Sequence, residues 1–189
     1  MTQRKAISSR SCQVAKRRNR PTYFGIEFDS PEELEFYWWC EEAHDRKLIQ
    51  DFSYQHPTWE LTPKATEEVQ RVSEKTGKQL KPKTRTIVQA ATYTCDFWLK
   101  GLADSMSGIP EFIDIKPKFE RDQSRARLFS LTRKFVYYRH GVLVEAKTLD
   151  ELFTATWAPT RATVTPKTGK PRKPYQKYKT VQDFIRSQK

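Results

Sequence analysis

The sequence predicts an α/β fold, a central mixed β-sheet flanked by helices. Three observations point to it. Two segments carry strong helix signatures, at 31–47 and 122–139. Short apolar runs bounded by turn residues read as strands at 51–61, 85–99, 111–116 and 142–146. Their order along the chain is helix, strand, strand, strand, helix, strand, which folds as helices layered on one sheet.

Each element has a local reason. Residues 1–22 hold a run of Lys and Arg and read as a flexible arm, followed by an extended lead-in at 24–28. In Asp29-Ser30-Pro31-Glu32-Glu33, Ser30 suits the cap, Pro31 the first helical turn and Glu33 the capping-box position. The apolar face of that helix reads as Leu34, Trp38 and Tyr37, with Glu41, Glu42 and Asp45 outside. The stretch 63–77 is charged and poor in large apolar residues, so it reads as a helical or loop excursion. Gly101, Gly108 and Pro110 mark the turn before the strand at 111–116, and Pro117 stops that strand because it has no ladder donor. On the helix at 122–139, Leu128, Leu131, Phe135 and Tyr138 recur at three- and four-residue intervals and predict its apolar face. Gly141 ends it. A helical turn follows at 149–153, then a Pro- and Lys-rich linker at 159–179 and a short helix at 181–186.

Two strands carry carboxylates. Tyr93-Thr-Cys-Asp96-Phe97-Trp-Leu99 holds one, and Glu111-Phe-Ile-Asp114-Ile115-Lys116 holds another with a lysine two residues on. Residues two apart in a strand share a face, so Asp114 and Lys116 point the same way. Paired carboxylates on adjacent strands suit a hard divalent cation, which takes oxygen ligands. A metal that polarises a phosphate, with a cation beside it, is equipment for phosphodiester hydrolysis.

The charge distribution agrees with a polyanionic partner. The net charge is +12. Residues 1–20 hold seven Arg/Lys and residues 152–182 seven more, with no acid in either stretch, so the rest sums to 12 − 14 = −2. Basic arms bind phosphate backbones by releasing counterions, without reading sequence. Between the arms there is room for one domain of roughly 130–140 residues. Five Trp, eight Tyr and 11 Phe suffice for one core. No stretch approaches the ~18 apolar residues of a membrane span, and the N-terminus lacks the apolar run of a secretory signal. Cys12, Cys40 and Cys95 are scattered, which suggests a reducing compartment and no structural zinc.

The arrangement resembles the PD-(D/E)xK nuclease superfamily, and within it the phage nucleases described as Holliday-junction-resolvase-like. The residues that carry the likeness are Phe28-Asp29-Ser30-Pro-Glu-Glu33 with Tyr37, Gln55-His-Pro-Thr-Trp-Glu-Leu61, Tyr93-Thr-Cys-Asp96-Phe97, Ile113-Asp114-Ile-Lys116, a basic helix from Arg125 to Tyr138, and a strand from Val142 to Ala146. Together they span about residues 24–153. Two departures stand out: Asp114 occupies a position that is often Glu, and Pro117 one that is usually Gly.

The resemblance implies a restriction-endonuclease-like core at 23–158, with 62–84 a protruding insertion, 1–22 a basic flexible arm and 159–189 a basic tail. It implies a Mg²⁺- or Mn²⁺-dependent DNA endonuclease with Asp96, Asp114, the Ile115 carbonyl and Glu33 around the metal. Lys116 would position or activate water, and Gln55 would stand behind these groups. For Glu33 the cap and the ligand role compete. Phosphate contacts fall to Arg125, Arg133 and Lys134 on the helix and to Arg17, Arg18, Lys170, Arg172 and Lys173 in the arms. Branched DNA is the implied substrate class and a homodimer the implied assembly, since two strands must be cut symmetrically. A phage setting implies the host cytoplasm and phage replication, recombination or packaging proteins as neighbours. Two alternatives stay open: a transposon-end-cleaving subunit of the same fold, and a non-catalytic DNA-binding or virion-assembly protein.

Overall fold

The computed structural model describes residues 20–117, 123–165 and 168–188. A two-residue pair, β1 (Thr22–Tyr23) and β2 (Ile26–Glu27), leads into α1 (Pro31–Asp45). Then come β3 (Asp51–Tyr54), β4 (Thr58–Thr62), β5 (Ala65–Val72), β6 (Gln79–Val88), β7 (Ala91–Thr94), β8 (Phe97–Lys100) and β9 (Phe112–Ile115). Helix α2 (Gln123–His140), β10 (Val144–Lys147), α3 (Leu149–Ala155), α4 (Thr160–Thr163) and α5 (Val181–Ser187) complete the order.

The molecule is mixed α/β around a four-stranded mixed sheet in the order β10-β9-β8-β3. β3 pairs antiparallel with β8, β8 antiparallel with β9, and β10 parallel with β9. The parallel pair needs a crossover, and α2 supplies it. Central β9 is buried at Ile113, Asp114 and Ile115, in keeping with its unbroken Phe-Ile-Asp-Ile run.

The start of α1 follows its sequence. Ser30 caps it, accepting from the Glu33 amide at 3.1 Å, with Pro31 in the first turn. Its buried face differs from expectation. Phe36, Trp39, Cys40 and Ala43 pack into the core, whereas Leu34, Tyr37 and Trp38 are half-buried. The helix is aromatic nearly all round from 36 to 39, so spacing alone does not choose a face. The sheet takes one side, where Phe36 meets Phe97. Tyr23 covers the other, edge-on to Tyr37 and Trp38.

Two predicted strands are broken, one into two pieces and one into three. The 51–61 run divides into β3 and β4, because Gln55 adopts φ +51° and Pro57 lacks an amide hydrogen. The 85–99 run divides among β6, β7 and β8. β4 and β7 pair separately as a ribbon over a second apolar cluster of Leu61, Cys95, Val136 and Val144. The 63–77 excursion is neither helix nor loop: β5 pairs antiparallel with β6 in an exposed hairpin.

Helix α2 buries Val136 and half-buries Phe129. The predicted inward stripe faces solvent instead, with Leu128 65% and Tyr138 87% exposed. Arg139 and His140 contact the Leu61 and Glu60 carbonyls of β4, and these bonds set the helix's rotation.

The largest correction concerns the C-terminal stretch. The segment expected as linker and basic tail folds onto α1. Trp157 stacks on Trp39 at 5.0 Å, and Phe184, 3% exposed, packs on Trp157. The buried Glu35 carboxylate accepts from Arg172 at 2.8 Å and from the Tyr175 hydroxyl. Glu42, expected outside, accepts from Trp157 Nε1 at 3.1 Å and from the Thr160 amide at 2.7 Å. The tail's few aromatic and β-branched residues thus find acceptors and apolar partners on a helix more than a hundred positions earlier. Among the described residues no helix is long and apolar enough to cross a membrane.

Candidate functional site

The broken strands build the site. Where β3 gives way to β4, the Gln55 amide donates to the Asp96 carbonyl at 2.8 Å, and the Cys95 amide donates to the Pro57 carbonyl at 3.2 Å. Asp96 therefore lies in the kink between β7 and β8, not within a strand. From there its carboxylate reaches β9, where Oδ2 accepts from the Ile115 amide at 2.9 Å. Asp114, on the same strand, is 3% exposed. Lys116 Nζ sits 2.6 Å from Asp114 Oδ2 and 4.5 Å above the Phe129 ring of α2. The shared face of Asp114 and Lys116 is thus realised as an ion pair.

Glu33 approaches from the first turn of α1. Its Oε1 accepts from Ser30 Oγ at 3.0 Å, and its Oε2 accepts from the Asp29 amide at 3.1 Å and from the Tyr54 hydroxyl at 2.6 Å. The capping contacts are therefore made. Gln55 stands one layer behind, donating to Asp29 Oδ2 at 3.3 Å and to the Tyr54 oxygen at 3.1 Å.

The electrostatics mark carboxylates crowded together. The Asp96 pKa is pushed up to about 8, first by burial, then by the charge and hydrogen bonding of Asp114, with Glu33 adding to it. Burial and the nearby Asp114 charge also raise the Tyr93 hydroxyl. Burial is the main cause that pushes the Cys95 thiol up to about 12, so it stays protonated and donates to the Phe97 and Ile113 carbonyls. Among the described residues no group of three or more His, Cys, Asp or Glu side chains is gathered to hold a metal ion. The donor set that does converge is the Asp96–Asp114 pair and the main chain between Asp114 and Lys116. These are oxygen donors, and their crowding raises Asp96 in the way a nearby cation would relieve, so the set fits a hard divalent ion.

A cleft of about 710 Å³ opens over this corner, lined among others by Arg20, Glu33, Ile115, Lys116 and Phe129. A second hollow of about 430 Å³ shares Glu32 and Lys116 with it and continues to Lys173, Tyr175 and Tyr178. Lys116 is the cation that lines both hollows.

The remaining expected contacts divide. Arg133 is half-buried on the same side of α2 as Ala126 and Phe129, which line the cleft, while Lys134 is exposed one position round. Lys173 reaches the second hollow and Lys170 is exposed in a turn. Arg172 is committed to Glu35 and to the Ala162 carbonyl, so its guanidinium holds the fold together. Arg17, Arg18 and the Arg125 side chain lie outside the described residues.

Three contributors escaped sequence reasoning. Tyr54, which fixes Glu33, adjoins the singled-out Gln55, and its phenol was the available signal. Arg20 counted only as arm charge, yet it lines the cleft and pairs with Asp29 at 3.0 Å. Phe129, which carries Lys116, was hidden behind the more regular Leu128 stripe. Comparison with protein-family models, curated proteins and solved structures gave no match.

Proposed function

We propose that this chain is a metal-dependent DNA endonuclease with a restriction-endonuclease-like core of the PD-(D/E)xK type. One observation carries the reading: Asp96, from the kink before β8, and Asp114 and Lys116, from β9 and the residue after it, come together beside a cleft lined by Ile115 and Lys116. A structural ion pair explains Asp114 and Lys116 alone. It does not explain a second carboxylate driven against the same strand at the expense of its ionisation.

Asp96, Asp114 and the Ile115 carbonyl would hold Mg²⁺ or Mn²⁺, with Glu33 in reach through its own bonded network. When bound, the ion would polarise the scissile phosphate and acidify water. The chain's own groups do the rest. Lys116 sets a positive charge in the cleft, kept there by Asp114 on one side and the Phe129 face on the other, where it orients the attacking water and stabilises charge developing on the phosphate. Tyr54 and Ser30 lock the Glu33 carboxylate in place. Arg20, which lines the cleft, and Arg133, on the face of α2 that bears Phe129, serve as phosphate contacts. The basic stretches supply sequence-independent attraction. Branched DNA, a two-fold dimer and action in a phage-infected cytoplasm complete the proposal.

The test is cleavage of a supercoiled plasmid and of a synthetic four-way junction, with Mg²⁺, with Mn²⁺ and with chelator. Metal-dependent nicks that vanish in Asp114→Asn support the reading, and a preference for the junction supports the substrate class. A chain that binds both DNAs and cuts neither with either metal overturns the enzyme assignment in favour of a DNA-binding role.

A further inference from the structure

We propose that the β5–β6 hairpin is a DNA-gripping arm that lies along the duplex flanking the cleaved site. The inference rests on the nuclease reading and adds to it a second contact surface, away from the cleft. Every residue of β5 is exposed, as is all of β6 except Thr86. At ~3.3 Å per residue, the ten residues of β6 extend about 33 Å. A lone two-stranded ribbon is marginal in water. This one nevertheless presents Val72, Leu80, Ile87 and Val88 to solvent, at 59%, 43%, 58% and 48% exposure. A surface of that kind is built to be covered.

Its charge identifies what covers it. Residues 64–88 contain seven Lys/Arg and three Glu, a net of 7 − 3 = +4. The chain outside its two basic stretches, 1–20 and 152–182, sums to −2, so without the hairpin it sums to −2 − 4 = −6. The hairpin is thus a positive projection from a body that is otherwise net acidic.

The register gathers part of it on one face. Lys83 stands opposite Val69, and Arg85 opposite Glu67. Arg71 follows Val69 on that face, and Arg71, Lys83 and Arg85 line one depression of about 500 Å³ around Val69. Glu67 is the acid on this face. Among the described residues none of the three cations is held in an ion pair.

Residues two apart on a strand are separated by about 6.6 Å, so Lys83 and Arg85 project from one face at a spacing suited to successive phosphates of one strand. A two-stranded ribbon is also of a width that the major groove admits. The occupant is duplex DNA, held by its backbone.

The experiment measures duplex binding against salt for the full chain and for Arg71→Ala/Lys83→Ala/Arg85→Ala, with the charge-keeping Arg71→Lys/Arg85→Lys beside it. All these positions are exposed, and thermal melting checks that the fold is kept. Loss of three phosphate contacts should flatten the log–log salt slope by up to about 2.7 and weaken binding in 0.1 M salt by about two orders of magnitude. The charge-keeping variant should bind as the unsubstituted chain does. An alanine variant with unchanged affinity and slope overturns the arm, as does an unsubstituted chain that does not bind duplex at low salt. Failure of the nuclease reading shows separately, as absence of metal-dependent cleavage by the unsubstituted chain while salt-sensitive binding through the hairpin persists.

Discussion

Lys116→Met separates the catalytic lysine from the structural one. Methionine keeps an apolar stem over Phe129 and removes the ammonium 2.6 Å from Asp114. Loss of one preorganised charge at developing phosphate charge costs about 2.7–4 kcal/mol of the barrier, a fall of roughly 10²–10³ in the cleavage rate. Stability falls as well, because Asp114 is left buried without its partner. Fully buried pairs broken in this way lose about 3–5 kcal/mol. The Lys116 side chain is 31% exposed, so the loss belongs below that range. At about 2–4 °C per kcal/mol for a chain of this size, melting should drop by several degrees and no more. Mg²⁺ should recover more of that drop in the variant than it adds to the unsubstituted chain, since a cation beside Asp114 replaces the missing charge. The assay pairs single-turnover plasmid nicking with melting curves, with and without Mg²⁺. Nicking at the unsubstituted rate by a folded variant refutes the catalytic role. A variant unfolded at the assay temperature shows that the pair serves the fold.

Asp96→Asn and Asp114→Asn should each abolish nicking and leave DNA affinity within a few-fold; unchanged nicking in both would remove the metal site from this corner. Deleting residues 1–19 should lower the salt slope of DNA binding by several units, given six Lys/Arg in that stretch, and an unaltered slope would make the arm a bystander. Phe184→Ala should destabilise the fold by about 3 kcal/mol or more in urea titration, as for other buried phenylalanines. A change under ~0.5 kcal/mol, the level of a surface substitution, would mean that the C-terminal segment is not docked.

How much of this was legible in the sequence depends on the range of the interaction involved. Local signals sufficed for Ser30, Pro31 and Glu33 at the start of α1, for Pro117 after β9 and for Gly141, with φ +69°, after α2. The order of the six core elements followed from such signals. Asp96, Asp114 and Lys116 could be singled out because carboxylates are costly in apolar strands. The kink that carries Asp96 was not legible, since it depends on bonds to Gln55 and Pro57 some forty positions away. Neither was the rotation of α2: Leu128 begins the more regular apolar stripe, yet the bonds of Arg139 and His140 to β4 turn Phe129 and Val136 inward. The C-terminal segment read as a tail because its anchors, Tyr175, Val181 and Phe184, are separated by prolines and lysines. Glu35, Trp39 and Glu42, the partners of this segment and of Trp157, lie outside any local window.

That docking sets the timing of folding. Trp39 bonds Thr156 across 117 positions, Glu42 bonds Trp157 across 115, and Glu35 bonds Arg172 across 137. Contacts so distant close large loops, and their closure entropy must be met before any of them contributes. On a ribosome adding about 5–20 residues per second, α1 waits roughly 6–27 s for these partners to be synthesised. Throughout that interval Trp39 lacks Thr156 and Trp157, and Glu35 has neither Arg172 nor Tyr175. The nascent chain passes through a stage in which sheet and first helix exist but the core is open on one side. Ribosome-bound chains halted near residue 155 should therefore be protease-sensitive and chaperone-bound, and chains extended through Phe184 and released should be resistant.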